Sequence, residues 1–412
     1  MRRITPLFTA NCAVNKLYNH RMTYIWQRNN WTNWRYDKAE LALLLAQVCA
    51  QQGRLYGRLG DLGMAEQGMA ALDAITKDVI KTSEIEGEQL NLQTVRSSVA
   101  RRLGVDIGAL APVDRQVEGI VEMVLDATRG FASPLTKERL FGWHAALFPT
   151  GYSGMSTIKV GNFRDDANGP MQVISGPAYE LSRKQRKVHF EAPPAAALDA
   201  AIDKFLYWFE GDKNAKNQVR IGLRADESLD HPYIQAGLAH LWFVTLHPFD
   251  DGNGRIARAV GDMALARAEA SPHRFYSLSA QIQRERSDYY NILERTQKSG
   301  DETESGTDIT EWLAWFLGCL HRAIQGAQST VDAVVAKGKF WQRAAHMSLN
   351  ARQVKVLNRL LDGFEGKLTN SKYAAIGKCS SDTALRDINE LMALGLLQKL
   401  EGGGRSAGYG VN

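Results

Sequence analysis

The chain has few cysteines. Its 412 residues include four, and these are widely separated: Cys12, Cys49, Cys319 and Cys379. No pair has the spacing that is typical of metal ligands. Unpaired thiols in a reducing compartment fit this pattern best, so we expect a cytoplasmic protein.

An excess of charge of one sign is also lacking. The formal net charge of +5 is slight for this length, and by itself it does not indicate a nucleic-acid partner. The hydrophobic fraction of 44% and the charged fraction of 23% are ordinary, which disfavours the disordered and membrane classes. No internal repeat is visible. The length is sufficient for about two or three domains.

The amino-terminal segment has neither acidic residues nor an apolar signal-peptide core. Residues 1–21 hold four basic residues and no Asp or Glu, a composition similar to that of a transit peptide. Met22 offers a second start. We treat residues 1–21 as a leader of uncertain origin.

One short segment concentrates chemically useful residues. Residues 247–258 read His-Pro-Phe-Asp-Asp-Gly-Asn-Gly-Arg-Ile-Ala-Arg. The apolar run 233–246 predicts a buried helix that ends at His247, because a residue before proline disfavours helical backbone. Gly252 and Gly254 allow backbone angles that other residues resist. A second helix is predicted from Arg255.

Such a helix–loop–helix segment suits a polyphosphate, because the N–H groups and dipole of a helix N-terminus attract anions. Arg255 and Arg258 are three residues apart and can clamp phosphate oxygens from one helix face. Asp251 is the natural ligand for Mg²⁺, which is usually held by one or two carboxylates plus phosphate oxygens and water. His247 is then left for proton transfer, since a histidine with a pKa of about 6.5 can accept a hydroxyl proton near neutral pH.

The same segment resembles the signature of the Fic family, His-Pro-Phe-x-Asp/Glu-Gly-Asn-Gly-Arg-x-x-Arg, at every defined position. The resemblance implies an enzyme that moves AMP from ATP to a Ser, Thr or Tyr hydroxyl of a protein, with His247 as general base and Asp251 holding Mg²⁺. It also implies the remaining roles in the loop: Gly252, Asn253 and Gly254 at the α- and β-phosphates, Arg255 and Arg258 at the outer phosphates, and Phe249 as an anchor in the core. No P-loop pattern competes for ATP.

Structural roles are the alternatives to this active site. A lone histidine at a helix end is usually structural, and His240, on the same face as His247, is expected to pack in the core. Asp250, Asp251 and Gly252 can form a simple turn. An EF-hand is excluded because its alternating oxygen ligands and terminal Glu are absent. A base, an acid, an anion loop and paired cations within a dozen residues favour an active site.

A second motif lies in a helix predicted over 64–91. Thr82 and Glu86 are one turn apart and share a helix face, for which a solvated acidic surface is the plain interpretation. Residues 82–87 are also similar to the Fic inhibitory motif, Ser/Thr-x-x-x-Glu-Gly/Asn, which ends here at Gly87. This resemblance implies that Glu86 pairs with Arg258, the cation meant for the ATP γ-phosphate, and so inhibits the enzyme within one chain.

A hairpin is predicted between residues 161 and 191. The segments 161–164, 171–176 and 188–191 alternate in polarity and are separated by turn residues. A purely structural hairpin is the alternative. The resemblance identifies the hairpin as the Fic flap, in which Val173, Ile174 and Ser175 present an edge to the target and align its hydroxyl with His247.

The rest of the chain is predicted to be mainly helical. The aromatic-rich segment 24–37 is expected to pack against a domain and resembles the small amino-terminal module of some Fic proteins. Helical periodicity predicts further helices over 38–57, 114–128, 137–147, 196–210 and 309–324, and it extends the helix after the motif to about residue 270. The polar run 211–230 is predicted to be a surface loop.

One more predicted helix opens at Ser287, taken as its capping residue. The resemblance places an aromatic residue and an amide near the adenine at this point. Tyr289 and Asn291 are the candidates, whereas Tyr290 is expected to pack in the core.

The last 63 residues resemble a winged helix-turn-helix domain. Three short helices over 351–363, 371–377 and 381–394 precede two predicted strands, 396–400 and 409–411. A protein partner and a DNA partner both stay open, because a fold alone does not fix a function. If DNA is bound, the expected contacts are Ser381, Thr383 and Arg386 in the groove and Arg405 on the backbone.

We therefore predict a mainly α protein in four parts after the leader: an amino-terminal helical module with the inhibitory helix (22–110), a Fic core with a β-hairpin flap (111–328), a linker (329–349) and a winged helix-turn-helix domain (350–412). The resemblance is close over 82–326. The expected activity is self-inhibited AMP transfer from ATP with Mg²⁺ onto target proteins or the chain itself.

Two other activities stay open. The same site can remove AMP from a protein with a water oriented by Glu86, or the chain can be a DNA-binding regulator whose core senses nucleotide. No membrane partner is expected. A homodimer and a nucleotide other than ATP are further open alternatives.

Overall fold

The computed structural model describes residues 24–60, 62–108, 110–175, 187–211, 231–298, 306–361, 364, 366–400 and 408–412. The leader and residues 212–230 of the polar run lie outside the described residues. In the described part, none of the helices combines the length and apolar content needed to cross a membrane.

Helices dominate, as the sequence predicts. Those in the described part span Lys38–Gly60 (α1), Met64–Ile85 (α2), Leu92–Leu103 (α3), Arg115–Arg129 (α4), Lys137–Leu147 (α5), Leu198–Glu210 (α6), Pro232–Leu246 (α7), Asn253–Ala268 (α8), Leu278–Arg284 (α9), Arg286–Gln297 (α10), Thr310–Ala344 (α11), Ala351–Leu361 (α12), Asn370–Gly377 (α13) and Ser381–Ala393 (α14).

The strands are short and form two-stranded sheets. They span Trp34–Arg35 (β1), Tyr152–Ser153 (β2), Ser156–Thr157 (β3), Gln172–Ser175 (β4), Lys187–Glu191 (β5), Thr307–Asp308 (β6), Leu397–Lys399 (β7) and Tyr409–Val411 (β8). β1 pairs with β6 in parallel, and the antiparallel pairs are β2 with β3, β4 with β5 and β7 with β8.

The residues form two compact units. The first contains the residues up to 45, 122–272 and 282–318, and the second contains 46–121, 273–281 and 319–412. Each unit is assembled from segments that are distant in sequence, whereas each predicted domain is one continuous segment. The predicted domain boundaries therefore remain predictions.

The first unit is organised around α7, whose residues from Tyr233 to Leu246 are all buried. A helix that is apolar on every side is stable only inside a core. Gly237 allows α11 to approach closely, because a Cβ there would lie 2.9 Å from Phe316. Trp312 donates a hydrogen bond to the Gly237 carbonyl at 2.9 Å. The burial predicted for this helix is confirmed.

The aromatic residues before α1 also pack in the first unit. Trp31 and Trp34 contact the ring of Trp242 on α7, with centroids 6.1 and 5.6 Å away. Tyr24 lies edge-on against Phe190 of β5 with centroids 5.3 Å apart. The prediction that this segment packs against a domain is confirmed.

In the second unit, α2 is fastened by a buried carboxylate. Asp78 accepts hydrogen bonds from the Ser277 hydroxyl at 2.6 Å and the Ser279 N–H at 3.2 Å.

The sequence predicts one helix over 64–91, which is wrong, because α2 ends at Ile85. Asn91 instead accepts from the N–H groups at the start of α3, as an N-cap does.

The carboxyl-terminal helices and strands surround their own small core in the second unit. Its buried residues include Val356, Leu357, Tyr373, Ile388 and Leu391. Three helices and two strands occur in the predicted order, while the likeness to a winged helix-turn-helix stays a prediction.

The helix predicted to end near residue 324 continues as α11 to Ala344, so most of the predicted linker is helical. The reason is packing: Phe340 and Ala344 are buried in the carboxyl-terminal core.

The prediction that Ser287 caps a helix is also wrong, because α10 begins one residue earlier and its N-cap position is Glu285.

Candidate active site

The candidate base, His247, directly follows α7 in the left-handed region, with φ 48° and ψ 56°. Its N–H still donates to the carbonyl of Phe243, and its Nδ1 lies 3.2 Å from the carbonyl oxygen of Val244. A carbonyl can only accept, so Nδ1 carries the hydrogen. In the neutral ring Nε2 is therefore the nitrogen that takes a proton.

A buried arginine that is not among the predicted site residues fixes the backbone of this histidine. The side chain of Arg164 is fully buried, and its Nε donates to the carbonyl oxygen of His247 at 2.8 Å. Its backbone N–H donates to the carbonyl of Pro248 at 2.9 Å. The sequence predicts that residues 161–164 belong to the flap hairpin, but in the structure they are irregular.

The same arginine binds the two ends of the flap. One guanidinium nitrogen donates to Asp166, ahead of β4, and another donates to the carbonyl of Pro193, just after β5. The second oxygen of the Asp166 carboxylate accepts from the N–H of Ala195. Arg164 thus joins both ends of the flap to the backbone of the candidate base.

Both loop carboxylates have structural partners. Asp250 accepts a hydrogen bond from the Lys159 N–H at 2.8 Å. Asp251 accepts from the Ser153 hydroxyl and from the Gly252 N–H. The turn interpretation and the metal-ligand interpretation are compatible, because the Asp251 side chain remains 44% exposed.

Gly252 is required at the start of α8 for two reasons. Its φ of 79° is in the left-handed region, and a Cβ there would lie 2.9 Å from the ring of Phe148. The helix then starts at Asn253, two residues earlier than predicted, so Gly254 is helical and its backbone freedom is not needed.

Asn253 closes the loop on itself. Its side chain accepts from the Phe249 N–H at 2.9 Å and donates to the Phe249 carbonyl at 2.7 Å. Phe249 is fully buried and stacks on His144, with centroids 4.3 Å apart and the planes at 9°. The predicted anchoring role of Phe249 is confirmed, and the Asn253 side chain shapes the loop that holds the helix N-terminus.

The two arginines of the signature, Arg255 and Arg258, are buried. Arg255 is 1% and Arg258 is 3% exposed. The guanidinium of Arg255 lies over the Phe148 ring at 5.0 Å and 4.0 Å from a carboxylate oxygen of Asp251. Cations on the first turns of α8 reinforce the attraction of the helix N-terminus for anions.

His240 packs in the core, as predicted, and its Nε2 lies 3.0 Å from the Tyr289 hydroxyl. Burial, and then the charge of Arg258, lower the pKa of His240 to about 3. His240 is therefore neutral at physiological pH, and it adds no positive charge beside Arg258.

The two tyrosines of α10 differ in burial, and the placement of Tyr289 near the adenine stays a prediction. Tyr289 is 2% exposed and packs in the core, whereas Tyr290 is 39% exposed with Arg286 over its ring at 5.3 Å. The assignment of Tyr290 to the core was wrong. Asn291 is exposed, so an outward aromatic and amide pair does occur here, as Tyr290 and Asn291.

The flap hairpin is confirmed for the described residues, while its tip, 176–186, lies outside them. Val173 packs against the small core of Tyr24 and Phe190, whereas Ile174 is 46% exposed and Ser175 is exposed. The alternation of β4 therefore presents Ile174 outward, as a docking edge requires.

The inhibitory motif lies at the end of α2 in the second unit. Thr82 is buried and Glu86 is exposed as the first residue beyond the helix. Gly87 has φ 87°, and the N–H of Glu88 donates to the Ser83 carbonyl, so the glycine ends the helix. The motif's pairing with Arg258 stays a prediction.

Three of the four predicted DNA contacts lie on α14. Ser381 and Arg386 are exposed, whereas Thr383 is partly buried and its hydroxyl lies 2.9 Å from that of Ser380. Arg405 lies outside the described residues. DNA binding stays a prediction.

Two family models match parts of the chain. Residues 134–265 match the model of the Fic/DOC family, and residues 24–105 match a domain of unknown function, DUF4172. The chain is 30% identical to a uridine 5′-monophosphate transferase of Xanthomonas campestris pv. campestris (strain 8004), over 34% of this chain and 22% of that protein. It is 33% identical to a protein adenylyltransferase Fic of Nematostella vectensis, over 28% of this chain and 22% of that protein.

The chain spans about a fifth of the length of these two relatives. Over most of its length its fold is similar to the crystal structure of a Fic family protein from Desulfovibrio desulfuricans G20, with a TM-score of 0.51, 16% identity, and coverage of 92% of this chain and 97% of that one. The signature loop between α7 and α8 lies within residues 134–265, so this part of the chain, about a third of its length, is a Fic/DOC domain.

Proposed function

We propose that the chain is a self-inhibited protein adenylyltransferase that moves AMP from ATP to Ser, Thr or Tyr hydroxyls. The observation that carries the proposal is the contact of His247 Nδ1 with the carbonyl oxygen of Val244. This contact leaves Nε2 of the neutral ring as the proton acceptor, on the residue that opens the loop before α8, whose N-terminus attracts anions.

The reaction balances with residues of this one loop. The target hydroxyl oxygen attacks the α-phosphorus, its proton passes to Nε2 of His247, and the bond from the α-phosphorus to the bridging oxygen breaks as pyrophosphate leaves. The backbone of Gly252, Asn253 and Gly254 would hold the α- and β-phosphates, and Arg255 and Arg258 the leaving phosphates.

Asp251 is the residue that would hold Mg²⁺. In the described part no group of three or more metal-ligating side chains occurs. A half-exposed carboxylate beside a phosphate loop nevertheless fits Mg²⁺, which takes its other ligands from phosphate and water. When bound, the ion would neutralise charge on the leaving phosphates.

Two surfaces would bind the other substrate groups. Within the described residues β4 pairs only with β5, which leaves the other edge of β4 for a target segment to add as a strand. Asn291 and Tyr290 are the outward groups on α10 that we assign to the nucleotide base. The similarity to a uridine 5′-monophosphate transferase supports UMP as the alternative transferred group.

Inhibition would come from Glu86. Its exposed position just beyond α2 supports a carboxylate that can pair with a cation and release it. Pairing with Arg258 would occupy the cation that the γ-phosphate needs.

The test compares wild type, Glu86→Gly and Glu86→Gly/His247→Ala with α-labelled ATP or UTP, Mg²⁺ and a cell extract. Label on extract proteins should appear with Glu86→Gly and disappear in the double variant. Glu88→Gly, which removes a carboxylate two residues further on, is the matched control and should stay inactive. No label in any variant, with nucleotide binding intact, would contradict transfer and favour AMP removal or nucleotide sensing.

A further inference from the structure

The flap carries a second chemical cluster, which we call the flap triad: Ser175, His189 and Glu294. The Ser175 hydroxyl lies 2.6 Å from Nε2 of His189, and Nδ1 of His189 lies 2.6 Å from a carboxylate oxygen of Glu294. Ser175 ends β4, His189 is in β5 and Glu294 is on α10, so three elements of the first unit supply one residue each.

The strand register explains how His189 reaches both neighbours. Val173 pairs with Phe190, and Ile174 pairs with Val188, so His189 is the extra residue of a β-bulge. A bulge re-aims a side chain that regular pleating would place elsewhere, and bulges are common beside active sites.

The Glu294 carboxylate determines which atoms of the flap triad carry hydrogen. Glu294 also accepts from Lys298 at 2.6 Å, and it lies 3.4 Å from Lys187. The pKa of Glu294 is lowered to about 2, against the opposing effect of burial, by hydrogen bonds from Lys298 and His189. An ionised carboxylate only accepts, so Nδ1 of His189 carries a hydrogen, and Nε2 of the neutral ring accepts from the Ser175 hydroxyl.

A simple fastening of the flap to α10 would need only His189 and Glu294. The hydroxyl adds the third member in the order hydroxyl, imidazole, carboxylate, which is the arrangement that activates a serine nucleophile.

The charge next to the flap triad indicates which electrophile Ser175 would attack. Lys187 pairs directly with Ser175 across the hairpin, is exposed and lies 3.4 Å from Glu294, so a cation belongs to this cluster and favours an anionic phosphoryl group.

We propose that Ser175 is an activated nucleophile that accepts a nucleotidyl group from a nucleoside triphosphate, with His189 as its own base. The acceptor role rests on the proposed function, whereas the activation of Ser175 does not. In the step, Oγ bonds to the α-phosphorus, its proton passes to Nε2 of His189, and pyrophosphate leaves. The product is a phosphodiester on the outer strand of the flap.

The first experiment tests the nucleophile without any nucleotide. A fluorophosphonate probe bonds through phosphorus to an activated serine oxygen, and fluoride leaves. We expect the wild-type chain to be labelled at Ser175, with no label in Ser175→Ala and about 100-fold slower labelling in His189→Gln. Ser156→Ala, which removes another exposed strand serine, should label like the wild type. Absence of label at Ser175 in the folded wild type, or equal rates in His189→Gln, would overturn the proposal.

The second experiment tests the acceptor role with ATP or UTP and mass spectrometry of the peptide 165–183. In the Glu86→Gly background we expect the nucleotide on Ser175, and we expect it to be lost with His189→Gln. Thermal denaturation checks that the variants are folded. Modified extract proteins with an unmodified Ser175 would overturn the acceptor role and leave the proposed function standing. No transfer to any protein would instead contradict the proposed function, and the fluorophosphonate result alone would then decide whether Ser175 is activated.

Discussion

The Nε of Arg164 donates to the carbonyl oxygen of His247 at 2.8 Å, across 83 positions of sequence. The hydrogen bond holds a residue whose left-handed backbone is unfavourable for a side chain with a Cβ. The orientation of the candidate base is thus set by a buried side chain at the base of the flap.

Arg164→Lys should therefore slow transfer more than it weakens nucleotide binding. A lysine has one ammonium group in place of the fork that reaches His247, Asp166 and Pro193. We expect a loss of kcat of about tenfold or more with nearly unchanged KM for nucleotide, because a positioning error of about 1 Å is costly in catalysis. Steady-state kinetics in the Glu86→Gly background measure this, and restored activity of Arg164→Ala with added guanidinium would confirm the positioning role. Equal kcat in the lysine variant would contradict it.

Asn253→Ala should destabilise the loop even without nucleotide. The substitution leaves the buried N–H and carbonyl of Phe249 without the amide that satisfies both. We expect the free energy of unfolding to fall by about 2–3 kcal/mol. Urea unfolding followed by tryptophan fluorescence measures the change. Asn389→Ala, an exposed residue of α14, is the control and should be nearly neutral.

Gly252→Ala should impair both folding and transfer. The left-handed φ costs an alanine about 1–2 kcal/mol, and the added Cβ would press on the ring of Phe148. Gly53→Ala is the matched control, since Gly53 lies inside α1 with open space around its Cα, and it should stabilise the chain by about 0.5–1 kcal/mol. Similar melting temperatures for the two variants would show that the loop does not need its glycine.

Stability should fall in mild acid because two buried histidines resist protonation. The pKa of His240 is lowered to about 3 by burial and by Arg258, and that of His144 to about 4, mainly by burial. In the unfolded chain a histidine has a pKa of about 6.5. The unfolded state then binds more protons below this pH, so stability is complete above about pH 6.5 and is lost as the pH falls toward 4.

Each of these histidines should contribute a slope of up to about 1.4 kcal/mol per pH unit in that window. Urea unfolding at pH 7.5, 6.0 and 5.0 measures the slope for the wild type. His240→Gln keeps a polar group near Tyr289 but cannot be protonated, so its slope should be shallower. An unchanged slope would mean that His240 is already protonated in the folded chain.

Much of the site follows from local sequence. Pro248 stops α7, Gly252 permits the turn, and the apolar run before them predicts a helix buried on all sides; each is a steric or hydrophobic effect that acts over a few residues. The flap strands were likewise visible as alternation. The predictions failed where the decisive contact is distant. Phe340 and Ala344 extend α11 because the carboxyl-terminal core buries them, and the residues next to them in sequence do not indicate this burial.

The sequence by itself determined the signature loop, the helices on either side of it and the order of elements around it, because backbone sterics and hydrophobic periodicity depend on adjacent residues. Only the tertiary structure decided that Tyr290 faces outward and Tyr289 inward, that Arg164 supports His247, and that Ser175, His189 and Glu294 meet on the flap. Those arrangements join residues tens to more than a hundred positions apart, and their hydrogen bonds form only after the packing of the core has fixed which faces meet.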